Sequence, residues 1–162
     1  MKTIQAIPNK IYLLNDLIRQ IAAWQILGKK IVFTNGVFDI IHKGHIASLS
    51  EAASYGDRLV VGINDDASVK RLKGETRPVN EAEARALVLA SLVQVDAVCI
   101  FTDDTPLQMI MAIKPDVLVK GGDYTLAQIV GASEVMAAGG LVKMATIIPD
   151  ISTTAIIEKL KK

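Results

Sequence analysis

Short apolar runs alternate with longer amphipathic stretches along most of the chain. Five runs rich in Val, Ile and Leu predict strands, at residues 31–34, 58–63, 97–101, 116–120 and 141–148. The stretches between and after them place apolar residues at helical spacing and predict helices, at residues 44–55, 81–93, 106–113 and 126–138 and from 152 or 153 to the terminal lysines. Strands that alternate with helices are typical of βαβ units. The pattern therefore predicts an α/β fold, Rossmann-like and doubly wound around a five-stranded parallel sheet.

The N-terminal part of the chain and one later segment follow other patterns. After a polar start, apolar residues recur at helical spacing over residues 11–28, which predicts an amphipathic helix that docks on the rest of the domain. We therefore expect an N-terminal helical extension at residues 1–28 and the main globular domain at residues 29–162, with no repeat or linker. Residues 69–80 lack an apolar period, which predicts a loop, with Asn80 as the N-cap of the next helix.

Composition narrows the class of protein. With 162 residues, 51% of them apolar, and a net charge near +1, the chain has the size of one domain and no electrostatic reason to bind nucleic acid. Its single cysteine, Cys99, lies in an apolar run and is expected to be a buried structural thiol. No signal peptide is visible, and no uncharged stretch approaches the roughly twenty residues that span a bilayer. We therefore expect a cytoplasmic protein without a membrane partner.

The candidate chemistry follows the strand predicted at residues 31–34. Asn35 and Gly36 form a turn after this strand, and the two histidines of the chain, His42 and His45, flank the start of the next helix. A strand that ends in a glycine turn before a helix is where α/β proteins hold phosphates, because free backbone N–H groups and the helix dipole point at the anion. Two imidazoles there can donate hydrogen bonds to charge on a transferring phosphoryl group. The segment indicates a nucleotidyl-transfer site.

Other segments are expected to meet this turn, since ligands of such sheets bind at the carboxyl ends of the strands. The segments that follow the other strands are residues 64–77, 120–123 and 149–154. Each has a structural alternative: a solvated basic loop, a strand-to-helix turn and a helix cap respectively, while the two histidines could be solvent-facing or metal ligands. The P-loop and dinucleotide glycine motifs are absent from the sequence, and a Ser-His-Asp or Cys-His site has no spare histidine.

These residues also carry a resemblance to known enzymes. The His-x-Gly-His turn at residues 42–45 resembles the signature of the cytidylyltransferase-like nucleotidyltransferase superfamily. Six blocks narrow the resemblance to the D-glycero-β-D-manno-heptose 1-phosphate adenylyltransferases, at residues 34–39, 71–74, 77–80, 104–106, 115–124 and 152–157. The resemblance extends from about Lys29 to the C terminus. Many members are fused behind a sugar kinase; this chain is too short for one and resembles the stand-alone form, so a separate sugar kinase is an expected functional partner.

The resemblance implies that AMP passes from ATP to a sugar 1-phosphate. A phosphate oxygen of the sugar attacks the α-phosphorus and pyrophosphate leaves. Because this oxygen is already ionised at neutral pH, no general base is needed, and catalysis consists of positioning and electrostatic stabilisation. By the same resemblance His42 and His45 hold the triphosphate, and Lys73 neutralises its charge, with Lys70 or Arg71 as weaker candidates.

Further residues are implied to bind the nucleotide. Asp39 either holds Mg²⁺, the implied cofactor that accompanies ATP, or orients the turn. Lys120, Gly122 and Asp123 stand where the family recognises base and ribose. The remaining residues are implied to bind the nucleotide through backbone groups, a guanidinium or hydroxyls. They are Asn35, Gly36, Phe38, Gly44, Arg85, Ser152, Thr153 and Thr154.

The sequence departs from the family pattern at one point, and two other functions are alternatives. Relatives that act on glycerol phosphate carry Arg-Thr-x-Gly before Ile-Ser-Thr-Thr, whereas residues 147–150 contain no arginine, so that phosphate contact must come from elsewhere or be absent. The chain could instead be a CTP-dependent cytidylyltransferase acting on a polyol or alcohol phosphate, or a non-catalytic nucleotide-binding or regulatory module. A homodimer is expected on family grounds, and the apolar N-terminal helix could contribute to it.

Overall fold

The structure is a computed structural model that describes residues 3–122, 124–146, 148 and 151–160. In this part of the chain six strands form one sheet: β1 (Ile11–Tyr12), β2 (Ile31–Gly36), β3 (Arg58–Asn64), β4 (Ala97–Phe101), β5 (Val117–Gly121) and β6 (Leu141–Ala145). The helices described are α1 (Leu14–Ile26), α2 (Lys43–Ala53), α3 (Asp66–Lys73), α4 (Ala82–Ser91), α5 (Leu107–Ile113), α6 (Ala132–Ala137) and α7 (Thr153–Leu160). Short 3-10 helices lie at Pro8–Lys10 and Leu126–Gln128.

The sheet is parallel throughout, in the order β1-β4-β3-β2-β5-β6. From β2 the chain passes outward to β3 and β4, and it then crosses to the other side of β2 to form β5 and β6. The strand order therefore reverses between β2 and β5, whose register pairs Thr34 with Val119. The predicted doubly wound parallel α/β fold is confirmed, and the reversal point is where such sheets bind ligands.

Helices cover both faces of the sheet. On one face Leu17 of α1 packs with Phe33 and with residues of α5 and α6, and on the other Leu49 of α2 packs with Val32 and with residues of α4. Neighbouring strand residues such as Val32 and Phe33 thus point into different cores, and both are fully buried. This double coverage explains why the strands are continuous apolar runs. Each fully buried large side chain contributes about 1.5–3 kcal/mol.

The sixth strand corrects the predicted strand number and the start of the first helix. Ile11 pairs with Val98 of β4, and α1 begins only at Leu14. A two-residue edge strand is too short to show a period of its own. Because its residues also fit the helical spacing of the segment that follows, the predicted helix included them. The segment before residue 29 thus adds a strand to the sheet and buries Leu17 and Ile21 of α1 in the core.

Helix α3 corrects the predicted loop, which was wrong for residues 69–73. Asp65 caps the helix, since its carboxylate accepts a hydrogen bond from the Ser68 N–H at 2.7 Å. Val69 is the single large apolar side chain that α3 buries, so the segment has no apolar period to detect. Asn80 is not the N-cap of α4, because that position belongs to Glu81.

Two further boundaries differ from the prediction. The helix predicted at residues 126–138 is divided into a 3-10 turn and α6, with Gly131 at a φ of +84° between them. A Cβ at Gly131 would lie 2.7 Å from the Ile110 side chain, so the close packing of α5 requires glycine there. The last strand ends at Ala145 rather than residue 148, and the terminal lysines lie outside the described residues.

Candidate functional site

A cleft of about 280 Å³ opens at the reversal point, where β2 and β5 end. Polar side chains from several elements line it: Thr34, Asn35, His42, His45, Ser48, Lys120 and Tyr124. Apolar side chains also line it: Leu49, Val119, Ala145, Ile148 and Ile151. Gly36, Phe38 and Gly44 also line the cleft. A ligand that combines an apolar ring with an anionic group would match both kinds of wall.

The two histidines stack on each other at the beginning of α2. Their ring centroids are 3.8 Å apart, with 20° between the ring planes. His42 is the N-cap residue and His45 lies in the first turn. Gly44 permits this stack, because a Cβ there would lie 3.1 Å from the His42 ring. The motif thus places two imidazoles together at a helix N terminus, where the dipole favours an anion.

Burial favours the neutral form of both imidazoles. Burial lowers the pKa of His42. Burial, followed by the charge of His42, lowers the pKa of His45 to about 4, and the Ile40 backbone partly opposes the shift. Nδ1 of each ring is buried, and neither has a partner of good hydrogen-bond geometry among the described residues, although the Ile40 backbone lies close enough to His45 to favour its charged form. Such unpaired buried nitrogens are costly.

Phe38 supports this pair in a strained conformation. Its φ is 49°, in the left-handed region, at a cost of about 1–3 kcal/mol. Its ring lies 5.2 Å from the His45 ring, tilted by 57°. A Cβ at Gly36 would lie 3.0 Å from the same ring, so glycine makes room for it. The turn after β2 therefore places an aromatic ring against His45.

A basic group approaches the cleft from β5. Lys120 Nζ lies 3.5 Å from Asn35 Oδ1, across the ends of the neighbouring strands. Burial, followed by the charge of Lys73, lowers the pKa of Lys120. Two cations are therefore close enough to repel each other, and an anion between them would relieve that repulsion. Lys73 itself does not line the cleft and lies exposed at the end of α3.

Arg71, the other predicted α3 cation, is engaged elsewhere. Its Nε donates to Asp104 Oδ1 at 2.7 Å and its Nη2 donates to the Thr102 carbonyl oxygen at 3.1 Å. These bonds tie α3 to the segment after β4. Arg71 is thus an anchor for the helix that carries Lys73.

Asp39 lies beside the cleft rather than in its wall. Its carboxylate accepts hydrogen bonds from Arg77 Nε at 2.7 Å and from the backbone N–H groups of Val79 and Asn80 at 2.9 Å. Burial alone would raise the pKa of Asp39, but these three donors outweigh it and hold the pKa below its usual value. Both oxygens are occupied, so the geometry favours the orienting role over the metal role.

Arg85 is fully buried and does not reach the cleft. Its guanidinium donates to the carbonyl oxygens of Asn80, Val37 and Asn64 and to the Asp66 carboxylate, at 2.7–2.9 Å. The prediction that it extends toward the nucleotide did not account for these four acceptors, three of which are 19–48 residues away in sequence. The structure therefore gives Arg85 partners within the protein.

The remaining predicted residues that the structure describes do not line the cleft. Ser152 Oγ accepts from the Ala155 N–H at 3.1 Å and caps α7, and Thr153 Oγ1 donates to the Ile40 carbonyl oxygen at 3.4 Å. Gly122 has a φ of +132°, and a Cβ there would lie 2.4 Å from the Tyr124 ring, which lines the cleft. Thr154 is exposed. Asp123, like three of the four residues at 147–150, lies outside the described residues.

The described residues do not provide a metal cage. They contain no group of three or more His, Cys, Asp and Glu side chains able to hold a metal ion, and the Asp39 oxygens are already bonded. Mg²⁺ binds octahedrally, keeps several waters and often reaches a protein through substrate phosphates. The described side chains thus form no cage for a resident metal, and they leave room for Mg²⁺ that arrives with a nucleotide. No described helix is both long and apolar enough to cross a membrane.

Sequence reasoning missed three polar side chains that line the cleft, namely Thr34 near the end of β2 and two others. Ser48 lies three residues after His45 on α2, and Tyr124 follows β5. The signal for Ser48 was present, because residues three apart share a helix face. Tyr124 was noted only within a family block, and its position depends on the backbone of Gly122.

Comparisons with known proteins agree with this geometry. The cytidylyltransferase-like family model matches residues 33–159. The chain is 56% identical over 144 residues to the bifunctional protein HldE of Marinomonas sp. and 54% identical over 135 residues to that of Pseudomonas aeruginosa PAO1. These alignments cover 89% and 83% of this chain but 30% and 28% of the relatives. The chain thus spans less than a third of the length of these curated relatives.

Solved structures share the fold. A lipopolysaccharide core biosynthesis protein from Thermoplasma volcanium superposes with a TM-score of 0.61 at 29% identity, over 75% of this chain and 98% of that protein. Pantoate-β-alanine ligase from Francisella tularensis, solved with an ATP derivative and β-alanine, gives a TM-score of 0.62 at 17% identity, over 93% and 76% of the two chains. The second similarity supports the fold alone.

Proposed function

Because the chain belongs to the cytidylyltransferase-like family of nucleotidyltransferases, we propose that it transfers AMP from ATP to D-glycero-β-D-manno-heptose 1-phosphate and releases pyrophosphate. The observation that carries the proposal is the stacked His42–His45 pair at the N terminus of α2, in a cleft that both polar and apolar side chains line. The choice of ATP and heptose phosphate rests on the similarity to HldE proteins and on the sequence blocks that resemble the heptose adenylyltransferases.

In this proposal the protein binds and polarises, and it does not provide a general base. The sugar phosphate oxygen is ionised and attacks the α-phosphorus in line, while the bond to the pyrophosphate oxygen breaks. His42 and His45 donate hydrogen bonds to triphosphate oxygens, and these bonds strengthen as charge develops on the leaving group. Neutral imidazoles suit this role, since each still offers one N–H donor.

Cations near the cleft complete the proposed electrostatics. Lys73 neutralises phosphate charge, and a bound anion would also oppose the lowering of the Lys120 pKa. Mg²⁺ enters with ATP as part of the substrate. The hydroxyls of Ser152, Thr153 and Thr154 are proposed to approach the β- and γ-phosphates at the start of α7, where a helix N terminus favours anions.

The apolar wall is proposed to receive the base. Val119, Ala145 and Ile148 provide a surface for an aromatic ring, and the segment of Lys120, Gly122 and Asp123 would contact base and ribose. A homodimer and a separate sugar kinase that supplies the sugar 1-phosphate are also proposed. Light scattering of the purified protein would test the dimer, since a monomer mass at working concentration contradicts it.

Pyrophosphate release tests the reaction and its substrates together. The protein would be assayed with Mg²⁺ and either ATP or CTP, against heptose 1-phosphate, other sugar 1-phosphates and glycerol 3-phosphate. Turnover confined to ATP with heptose 1-phosphate is the expected result. Turnover only with CTP and an alcohol phosphate would contradict the substrate assignment but retain nucleotidyl transfer. ATP binding without turnover of any pair would contradict the enzymatic proposal and favour a nucleotide-binding module.

A further inference from the structure

Hydrogen bonds form a closed ring around Phe38. Arg85 Nη1 donates to the Val37 carbonyl oxygen at 2.7 Å, and Arg85 Nε donates to the Asn80 carbonyl oxygen at 2.9 Å. Asn80 in turn donates from its backbone N–H to Asp39 Oδ1 at 2.9 Å and from Nδ2 to the Asp39 carbonyl oxygen at 2.8 Å. The covalent chain from Val37 to Asp39 closes the ring. Phe38 is therefore held on both of its backbone sides.

Phe38 is the residue in this segment that needs such support. It is one of two described non-glycine residues with a positive φ, and such a conformation persists only where the surroundings fix it. Its side chain is buried, and its ring lies against Gly36, which has no Cβ to crowd it. Because the ring also faces His45, any relaxation of the Phe38 backbone would move the surface against which the imidazole packs.

From this arrangement we propose that Asp39 and Arg85 act together as a clamp that fixes Phe38 and, through its ring, the orientation of His45. Both are positioning residues that do not contact substrate. The carboxylate and the guanidinium are buried and have all their described partners inside the protein. The proposal replaces the direct nucleotide contact predicted for Arg85 and the metal contact considered for Asp39.

The same guanidinium extends the clamp to the end of β3 and the start of α3. Arg85 Nη2 donates to the Asn64 carbonyl oxygen at 2.9 Å and to Asp66 Oδ1 at 2.7 Å. Asp66 is the first residue of α3, and Lys73 is the last. One buried side chain thus connects the turn that carries the histidines with the helix that carries Lys73.

Histidine NMR tests the clamp without any substrate. The chain has two histidines, so the imidazole Cε1–H signals can be assigned with His42→Gln and His45→Gln variants. In Asp39→Asn, which keeps the side-chain shape but loses the charge, the His45 signal should shift by more than its line width. Asp96→Asn is the matched control, because Asp96 also accepts from an arginine and a backbone N–H, at 2.8 and 2.9 Å. Asp96 precedes β4, at the opposite end of that strand from the cleft, so the control should leave both signals unchanged.

A milder variant keeps the test decisive if Asp39→Asn does not fold. Asn80→Ala removes the exposed side-chain donor of the ring and retains both buried charges. It should shift the His45 signal in the same direction by a smaller amount. Unchanged histidine signals in a folded Asp39→Asn protein, or in Asn80→Ala where Asp39→Asn does not fold, would overturn the proposal.

Kinetic measurements distinguish a positioning role from direct contact with a ligand. This part of the test rests on the proposed function. Asp39→Asn should lower kcat about tenfold or more while leaving the Mg²⁺ concentration for half-maximal rate and the KM for ATP unchanged. A raised Mg²⁺ requirement would overturn the proposal in favour of a metal role for Asp39. In Arg85→Lys, a raised KM for ATP with unchanged kcat would overturn it in favour of direct contact. If the wild-type protein turns over no substrate pair, the proposed function fails while the NMR result still decides the clamp.

Discussion

The His42–His45 pair lines the cleft and is partly buried, whereas Asp39 and Arg85 are buried beside it, and the polar atoms of the two pairs are in opposite situations. Each histidine has a buried Nδ1 without a described partner of good geometry. The carboxylate of Asp39 and the guanidinium of Arg85 accept or donate several hydrogen bonds within the protein. Unpaired buried polar groups are rare and point to a function, whereas paired ones hold the structure.

This difference implies a different role for each pair. The unpaired histidine nitrogens raise the free energy of the unliganded protein. A bound anion could lower it, and such a difference favours binding and electrostatic catalysis. Asp39 and Arg85 join segments that are 19–48 residues apart in sequence. Loss of a histidine should therefore reduce activity more than stability, and loss of a clamp residue should change both.

The largest expected effect is on His45. His45→Ala should lower kcat about 10²–10³-fold, as removal of a single oxyanion donor does. Stability should change little, because the substitution also removes a buried nitrogen without a partner. Pyrophosphate release and urea unfolding would be measured on the same preparation. Near-normal turnover in His45→Ala would contradict the catalytic assignment.

The sequence predicted more of the fold than of the side-chain roles, and the two elements that it missed, β1 and α3, have one cause. Strands buried on both faces form apolar runs, so the four strands of the sheet interior were predictable, and the edge strand β6 was predictable from its short apolar run although it is mostly exposed. Strand β1 exists because β4 offers an unpaired edge, and α3 because Asp65 caps it and Ser68 bonds to the Asp103 carbonyl oxygen. Such tertiary partners leave no local period.

The same limit applies to the site. The glycine turn and the two histidines were identifiable because their chemistry is contained within one short segment. The roles of Asp39 and Arg85 depend on Val37, Asn80 and Asn64, whose proximity only the folded chain reveals. Both side chains could be named as candidates from the sequence, but the atoms that they contact could not be read from it.

Lys73 provides the next largest test. Lys73→Ala should reduce kcat/KM for ATP about tenfold, since a charge-assisted contact is worth about 1.5–3 kcal/mol and this side chain is partly screened by solvent. Lys70→Ala is the matched control on the same helix, also exposed. Equal losses in the two variants would indicate a diffuse charge effect and contradict a specific role for Lys73.

The pH dependence of stability sharpens the comparison further. Burial holds the pKa of His45 at about 4 in the folded protein, against 6.5 when unperturbed. Between these values the unfolded chain binds more protons, so stability should fall as the pH falls from about 6.5 toward 4. The loss should be on the order of 1–2 kcal/mol after solvent screening. His45→Gln should flatten the slope in urea unfolding, and identical slopes for the two proteins would refute the neutral, buried imidazole.

The smallest expected effect concerns Ser48, which lines the cleft one helical turn beyond His45. If the nucleotide extends along α2 from the histidines, the Ser48 hydroxyl lies beside it and contributes one neutral hydrogen bond, about 0.5–1.5 kcal/mol. Ser48→Ala should then raise the KM for ATP roughly threefold to tenfold without changing kcat. Ser50→Ala, on the exposed side of the same helix, should change neither constant. An unchanged KM in Ser48→Ala would place the nucleoside away from this wall and leave only the histidine end of α2 in contact with the ligand.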